Sequence, residues 1–365
     1  MNKDAGHLMR KNSIKKRQRV FSGARKFLQS ARHSSVQRRN LFGLPRNSVD
    51  KFINFWKNEE WFGVPFSTMC NMKDNDSLQR FLFDGTDIRG EITSLSSSYQ
   101  DMTVIQKYPP QIRDLFGEFL AAASLIGASL KYPGLISVQA TGDGPVSMIM
   151  TECNQKQQLR GIVRGNFEEQ TLDHDLDIIG LSSLLGTGTL TVTIEPEKGE
   201  RYQGIVPLEL DTLSRCLEFY FEQSAQLPTK IKLASSSSRA SGILIQQMPQ
   251  TKASGQNQVD WQHFSALLET LKPEEQTTLS HNEQLFRLFH QDDIRLFESQ
   301  SISFFCNCSL KRIERALVSI GLEELLSTCK EQGLIKITCQ FCDKEYQFSK
   351  DQIIQIFEPS ASMLH

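Results

Sequence analysis

Four cysteines near the C-terminal end carry most of the chemistry that can be read from this chain. Cys306 and Cys308 form a C-x-C pair, and Cys339 and Cys342 form a C-x-x-C pair further along. Two close pairs separated by enough chain for a small fold suit one tetrahedral zinc ion. Four thiolates fill that geometry and leave no open position for a catalytic water. The same sulfurs can also close into two local disulfides, which points to a redox switch rather than a permanent staple. A four-thiolate zinc site has a net charge of about −2 and benefits from nearby cations. Lys311, Arg312 and Lys344 are close in sequence. Zinc keeps sulfurs deprotonated, and the thiolate is the form that oxidants attack. Losing the ion should unfold so small a unit. Cys329 reads as a plain buried thiol, as do Cys70, Cys153 and Cys216.

Other patterns give less. Gly186-Thr187-Gly188 has no third glycine and runs into a strand, so a dinucleotide-binding turn is excluded. His174, within Asp173–Asp177, has neither a nucleophile nor a phosphate cradle beside it and reads as part of a solvated acidic loop. His281 and His290 are expected at the surface, and Ser94–Ser98 and Ser235–Ser238 as flexible loops. A C-x-x-C can serve a thiol oxidoreductase, but there it normally opens a helix of a thioredoxin-like fold.

The formal net charge of −1 conceals two unlike parts. Residues 1–71 hold 15 Lys+Arg against 4 Asp+Glu, and residues 72–365 hold 26 against 38. The first part is therefore +11 and the second −12. The basic part lacks apolar periodicity before Phe52 and reads as a disordered extension, with one amphipathic helix around Phe52–Phe62. An acidic body repels phosphate, so nucleic acid is a partner only through the extension. A zinc-dependent nucleic-acid-binding protein is the alternative reading. The longest uncharged helical stretch, Phe119–Leu130, is too short to span a membrane. No secretory signal is visible, and the thiols suit a reducing cytosol.

The elements that must position the cysteines form an α+β pattern rich in antiparallel strands. A helix is predicted from Pro110 to Lys131. Strands follow at Leu135–Thr141 and Val146–Glu152 around a Gly-Asp-Gly-Pro turn, then at Leu159–Arg164, Thr187–Ile194 and Gln203–Pro207. A helix over 211–224, with Asp211 as its N-cap, precedes strands at Lys230–Leu233 and Gly242–Met248. Gln250–Gln258 is a polar connection. Trp261, Phe264, Leu267, Leu268 and Leu271 then line one helical face, and Ser280 with Glu283 has capping-box spacing. Short amphipathic helices cannot stand alone and must lean on another surface. The predicted division is 1–71 extension, 72–249 body, 250–302 metastable helical linker, 303–357 zinc domain and 358–365 tail. Within the zinc domain, helices ending near Gly321 and Gly333 should precede a knuckle of Ile335–Thr338 and Glu345–Phe348.

Several of these segments together resemble the redox-regulated holdase chaperones, the 33 kDa chaperonin or heat-shock protein 33 family. The resemblance covers about 74–357. It is carried by Asp76–Phe83, Arg89-Gly90-Glu91, Gln139–Pro145, Tyr202–Leu208, Leu285–His290, Asp293–Phe297, Cys306-Asn307-Cys308-Ser309, Glu331-Gln332-Gly333 and Cys339-Gln340-Phe341-Cys342. It implies a chaperone rather than an enzyme, working without an ATPase cycle in the bacterial cytoplasm under oxidative and heat stress. Reduced, such a protein holds one zinc through Cys306, Cys308, Cys339 and Cys342 and is inactive. Oxidation forms Cys306–Cys308 and Cys339–Cys342, expels zinc and unfolds the linker. The exposed surface, with Trp261, Phe264, Leu268 and Leu271 as client-binding candidates, then holds unfolding proteins, and a homodimer is expected when oxidised. Two departures stand out. Ala225 occupies a position where the family usually has glutamate, which places dimer or client contacts there in doubt. Met72 sits where members begin, so residues 1–71 read as upstream sequence, with a nucleic-acid-binding tail or, since the stretch is rich in Arg and Ser and poor in acids, a transit-like peptide as the alternatives.

Overall fold

The computed structural model describes residues 74–130, 133–166, 180–249 and 256–358. The basic extension with Cys70, the acidic loop around His174 and the residues after 358 lie outside these. Strands β1 (Ser77–Phe83) and β2 (Ile88–Leu95) lead into helices α1 (Ser97–Gln106) and α2 (Pro110–Gly127). Next come β3 (Gly134–Gly142), β4 (Val146–Asn154), β5 (Gln158–Gly165), α3 (Leu181–Leu185), β6 (Gly188–Pro196) and β7 (Tyr202–Pro207). Helix α4 (Leu213–Tyr220) runs into a π-turn, Phe221–Ala225, before β8 (Thr229–Ser235) and β9 (Ala240–Gln247). Three helices follow: α5 (Gln256–Glu269), α6 (Pro273–Thr278) and α7 (His281–Phe289).

Two antiparallel sheets clasp α2. Among the first nine strands, one sheet runs β1-β2-β9-β8 and the other β5-β4-β3-β6-β7. Helix α2 is buried almost all round, through Ile112, Phe116, Phe119, Leu120 and Ala121–Gly127. Its apolar run thus forms the layer between sheets rather than a membrane span. Among the described residues no helix is long and apolar enough to cross a membrane.

The first sheet is covered on both faces, and the period of two along its strands shows how. Leu78, Leu95, Ala240 and Leu244 enter the α2 core. The alternating residues Phe81, Phe83, Ile88, Ile92, Ile243 and Ile245 face the opposite way, onto Phe264, Leu268, Leu271, Leu285, Leu288 and Phe289 of α5–α7. Gly90 lies opposite Phe81 across the β1–β2 ladder. A Cβ at Gly90 would come within 2.1 Å of the Phe81 ring, so only glycine lets that ring lie flat on the strand.

Several sequence expectations need correction. Helix α2 ends at Gly127 rather than Lys131, because Ser129 and Leu130 bond back three residues and tighten into a turn. Thr212, not Asp211, caps α4, its side chain accepting from the Arg215 N–H at 3.3 Å. Ser94–Ser98 is no flexible loop. Ser94 and Leu95 are the last residues of β2 and both are buried, and Ser97 and Ser98 open α1. The Asp76 carboxylate caps that helix, accepting from the backbone N–H groups of Ser96, Ser97 and Ser98 at 2.9–3.0 Å. The polar connection is shorter than expected, since α5 begins at Gln256. His281 is buried, not at the surface, while His290 is exposed.

Candidate metal centre and its coupling to the body

Past α7, the chain first runs along the sheets. Strands β10 (Ile294–Leu296) and β11 (Gln300–Ser301) pair with β1, and β12 (Ser303–Phe304) pairs in parallel with β5. Then come α8 (Leu310–Ile320), α9 (Leu322–Gln332), β13 (Ile335–Thr338), β14 (Glu345–Phe348) and α10 (Lys350–Phe357). Gly321 and Gly333 end the two helices at φ +103° and +79°, where a side chain would be strained. Helix α10 lies beyond the elements expected from the sequence, although its Ser349–Gln352 capping box is written there as S-x-x-Q. The core is small: Leu317, Leu325, Cys329, Ile335, Tyr346, Phe348 and Ile353 are its buried residues.

The loop after β12 carries Cys306 and Cys308, and the β13–β14 turn carries Cys339 and Cys342. Their four sulfurs all lie within 4.8 Å of one another. Cys306 and Cys339 are 3.6 Å apart, and Cys308 and Cys342 3.4 Å. A tetrahedron of zinc–sulfur bonds of about 2.3 Å needs sulfurs about 3.8 Å apart, so the donor set fits the ion in type and spacing. Burial alone would raise the Cys308 thiol, but the Tyr346 hydroxyl, donating at 3.3 Å, and the neighbouring thiols bring it down to about 7. Burial and the same neighbours push Cys342 up, and burial raises Cys306. Lys344 lies 5.1 Å over the Tyr346 ring, whereas Lys311 and Arg312 are exposed on α8. Cys329, Cys153 and Cys216 are buried free thiols away from the cluster.

The residues between the ligands touch the body. Asn307, inside the C-x-C, accepts from the Arg160 guanidinium on β5. The same guanidinium sits 4.4 Å over the ring of Phe341, inside the C-x-x-C, and pairs with Glu152. Gln340 accepts from Arg164 through its side chain and from the Gln106 side chain, at 2.7 Å, through its backbone carbonyl. None of Arg160, Arg164 and Gln106 carries a sequence signal, because their partners lie well over a hundred residues away. Arg160→Ala is expected to leave zinc content unchanged but raise hydrogen exchange across 303–309. Unchanged exchange there would show that Arg160 does not hold the unit to β5.

The other candidates group differently. Phe264, Leu268 and Leu271 are buried against the first sheet, and Trp261 is partly buried beside them. Phe264 stacks on Phe83 with ring centroids 3.7 Å apart and meets Phe289 edge-on at 6.0 Å. Ala225 closes the π-turn at a cavity of ≈ 290 Å³ that Arg89, Tyr202, Tyr220 and Ser224 also line.

A two-sheet body, a helical cover and a compact four-thiol unit define an α+β protein with a metal-type knuckle. The C-x-x-C occupies a β-turn, not the start of a thioredoxin helix. A family model described as Hsp33 protein matches residues 76–349. The 33 kDa chaperonin of Pseudomonas aeruginosa is 42% identical over 296 residues, 80% of this chain and 97% of the relative. That of Shewanella denitrificans is 43% identical over 286 residues, 78% of this chain and 96% of the relative. The chain belongs to the Hsp33 family. The crystal structure of the Thermotoga maritima 33 kDa chaperonin superposes with a TM-score of 0.67 at 19% identity, covering 77% of this chain and 97% of that one, and so shares the fold.

Proposed function

We propose that this protein is an oxidation-activated, ATP-independent holdase of the bacterial cytoplasm rather than an enzyme, with the domain division set out above. The observation that carries the reading is an arrangement: the four-thiol cluster continues directly into the segment and helices that cover the apolar face of the first sheet. Bound zinc would hold the four sulfurs as thiolates and tie the small unit together. Peroxide takes two electrons from each cysteine pair and is reduced to water as each bridge forms. All four sulfurs are close, so chain connectivity decides the pairing as the unit loosens. Near neighbours have the highest effective concentration, which favours Cys306–Cys308 and Cys339–Cys342. A unit with so small a core cannot stay folded without its ligand set. Its loss frees Asn307, Phe341 and Gln340 from β5, and the pull passes through β12, β11 and β10 to α7.

Release of α5–α7 would expose Trp261, Phe264, Leu268 and Leu271 together with the sheet residues Phe81, Phe83, Ile92 and Ile243. Such an apolar surface suits unfolding clients. The oxidised form is read as a homodimer.

The test compares reduced and peroxide-treated protein at raised temperature. Oxidation should release one zinc per chain, remove exchange protection across 256–302 and suppress client aggregation. Full protection of 256–302 in an oxidised, active sample would refute linker release. Peptide mass mapping should find the two local bridges. Predominant links between the pairs would contradict the pairing.

A further inference from the structure

We propose that His281 is a proton-sensing latch that lets acid release the helical cover while all four cysteines stay reduced and liganded. The inference rests on the function proposed above, but its test reads linker docking and not client binding. His281 is the first residue of α7 and is only 1% exposed. It sits where the cover meets three separate parts of the body. Its backbone N–H donates to Asp74 Oδ2 at 2.7 Å, and its Nε2 lies 2.9 Å from Ser94 Oγ of β2. Arg239, in the β8–β9 turn and 5% exposed, donates to Ser94 Oγ at 2.7 Å.

This arrangement makes a charged ring costly. A guanidinium can only donate, so Arg239 occupies one lone pair of Ser94 Oγ, and the hydroxyl keeps its hydrogen and a second lone pair for His281 Nε2. Among the described residues His281 Nδ1 is buried without a hydrogen-bond partner, and Asp74 Oδ2 is 3.9 Å away. Protonation puts a hydrogen on both ring nitrogens, so Nδ1 becomes a buried donor with no acceptor within hydrogen-bond distance, and it adds a buried positive charge beside a guanidinium. The charged groups that act on the ring are Asp74 ahead of β1 and Arg239 in the β8–β9 turn; Asp76 acts on Arg239, and Glu283 is the acidic residue of the same first turn of α7. Glu283 is engaged with Ser280.

Burial, opposed by Asp74 and reinforced by Arg239, lowers the His281 pKa from 6.5 to about 4. A released linker returns it to the ordinary histidine value. The docked form therefore binds fewer protons than the released form, and acid favours release. Docking is at full strength above about pH 6.5, weakens as pH falls and reaches its floor once pH has dropped below about 4. The docking constant should fall about 30-fold at pH 5 and about 300-fold below pH 4.

Full-length protein carrying Trp56→Phe and Trp61→Phe keeps Trp261 as its single tryptophan, a reporter on the cover. In reduced, zinc-loaded samples, the Trp261 emission should shift to the exposed value between pH 6.5 and 4.5. A chelator dye run on the same samples should find zinc still bound at the onset. His281→Gln should flatten this transition. Arg239→Met should weaken the transition and move its midpoint to lower pH, because a repelling charge is gone and protonating the docked ring costs less. An acid transition unchanged in His281→Gln, or one that coincides with zinc loss, would overturn the proposal. Should the His281→Gln protein fail to dock at neutral pH, proton NMR of the unsubstituted ring decides. A His281 midpoint below 5 that tracks the Trp261 signal supports the latch, and a midpoint near 6.5 overturns it.

Discussion

Phe264→Asp is expected to switch the protein on without any oxidant. Phe264 is buried and stacks on Phe83 from the linker side, so the substitution leaves the body's own residues untouched. Truncating a buried phenylalanine costs about 3–5 kcal/mol, and a carboxylate in the same apolar site adds a desolvation penalty. About 3 kcal/mol already corresponds to more than a hundredfold in an equilibrium constant. The cover should therefore be largely released in reduced, zinc-loaded protein. Exchange protection across 256–289 should drop by at least that factor, and client aggregation should be suppressed before peroxide is added. Retained protection would show that the aromatic stack is not what holds the cover. Lost protection with no gain in client holding would separate docking from function and count against the apolar face as the client surface.

Serine at Cys306, Cys308, Cys339 or Cys342 should have a comparable effect through the other end of the coupling. Each substitution removes one of four donors, and metal affinity is also folding energy in a unit this small. Reduced protein should fall from about one zinc per chain to a small fraction of that. Tyr346 and Phe348, buried in the unit's core, should lose their ordered environment in near-ultraviolet dichroism. The two-sheet body has its own core around α2 and should keep its far-ultraviolet signal. Equal zinc in all four variants and the parent would rule out the tetrathiolate reading.

Local signals in the sequence located the cysteine unit well. The C-x-C and C-x-x-C spacing, the two helix-ending glycines and the strand runs around the second pair all act within a few residues. β13 and β14 match the expected ranges residue for residue. The body strands were legible for the same reason, since their apolar runs are bounded by turn residues. What stayed hidden depends on distant partners. Strand β2 contains Arg-Gly-Glu in its centre, and it is a strand because β1 and β9 flank it on both sides. The short β10, β11 and β12 have no pattern of their own and exist only against the edges of β1 and β5. His281 looked like a surface residue because it stands at a helix start, and only Asp74, Ser94 and Arg239 bury it. The sheet half of the covered face was missed because its residues alternate with those of the α2 core.

The stretch from Ile294 to Phe304 seals an edge of each sheet, β1 through β10 and β11, and β5 through β12. If it leaves with the cover, both sheets present a bare row of main-chain donors and acceptors. Main-chain groups are the same in every protein, so an extended chain of any sequence can add there as a further strand. Strand addition would fix a client by its backbone while the apolar face takes whichever side chains it offers, a mode of binding that needs no recognition motif. The same two edges are equally open to a second copy of this chain, so concentration would set the balance between guest and self.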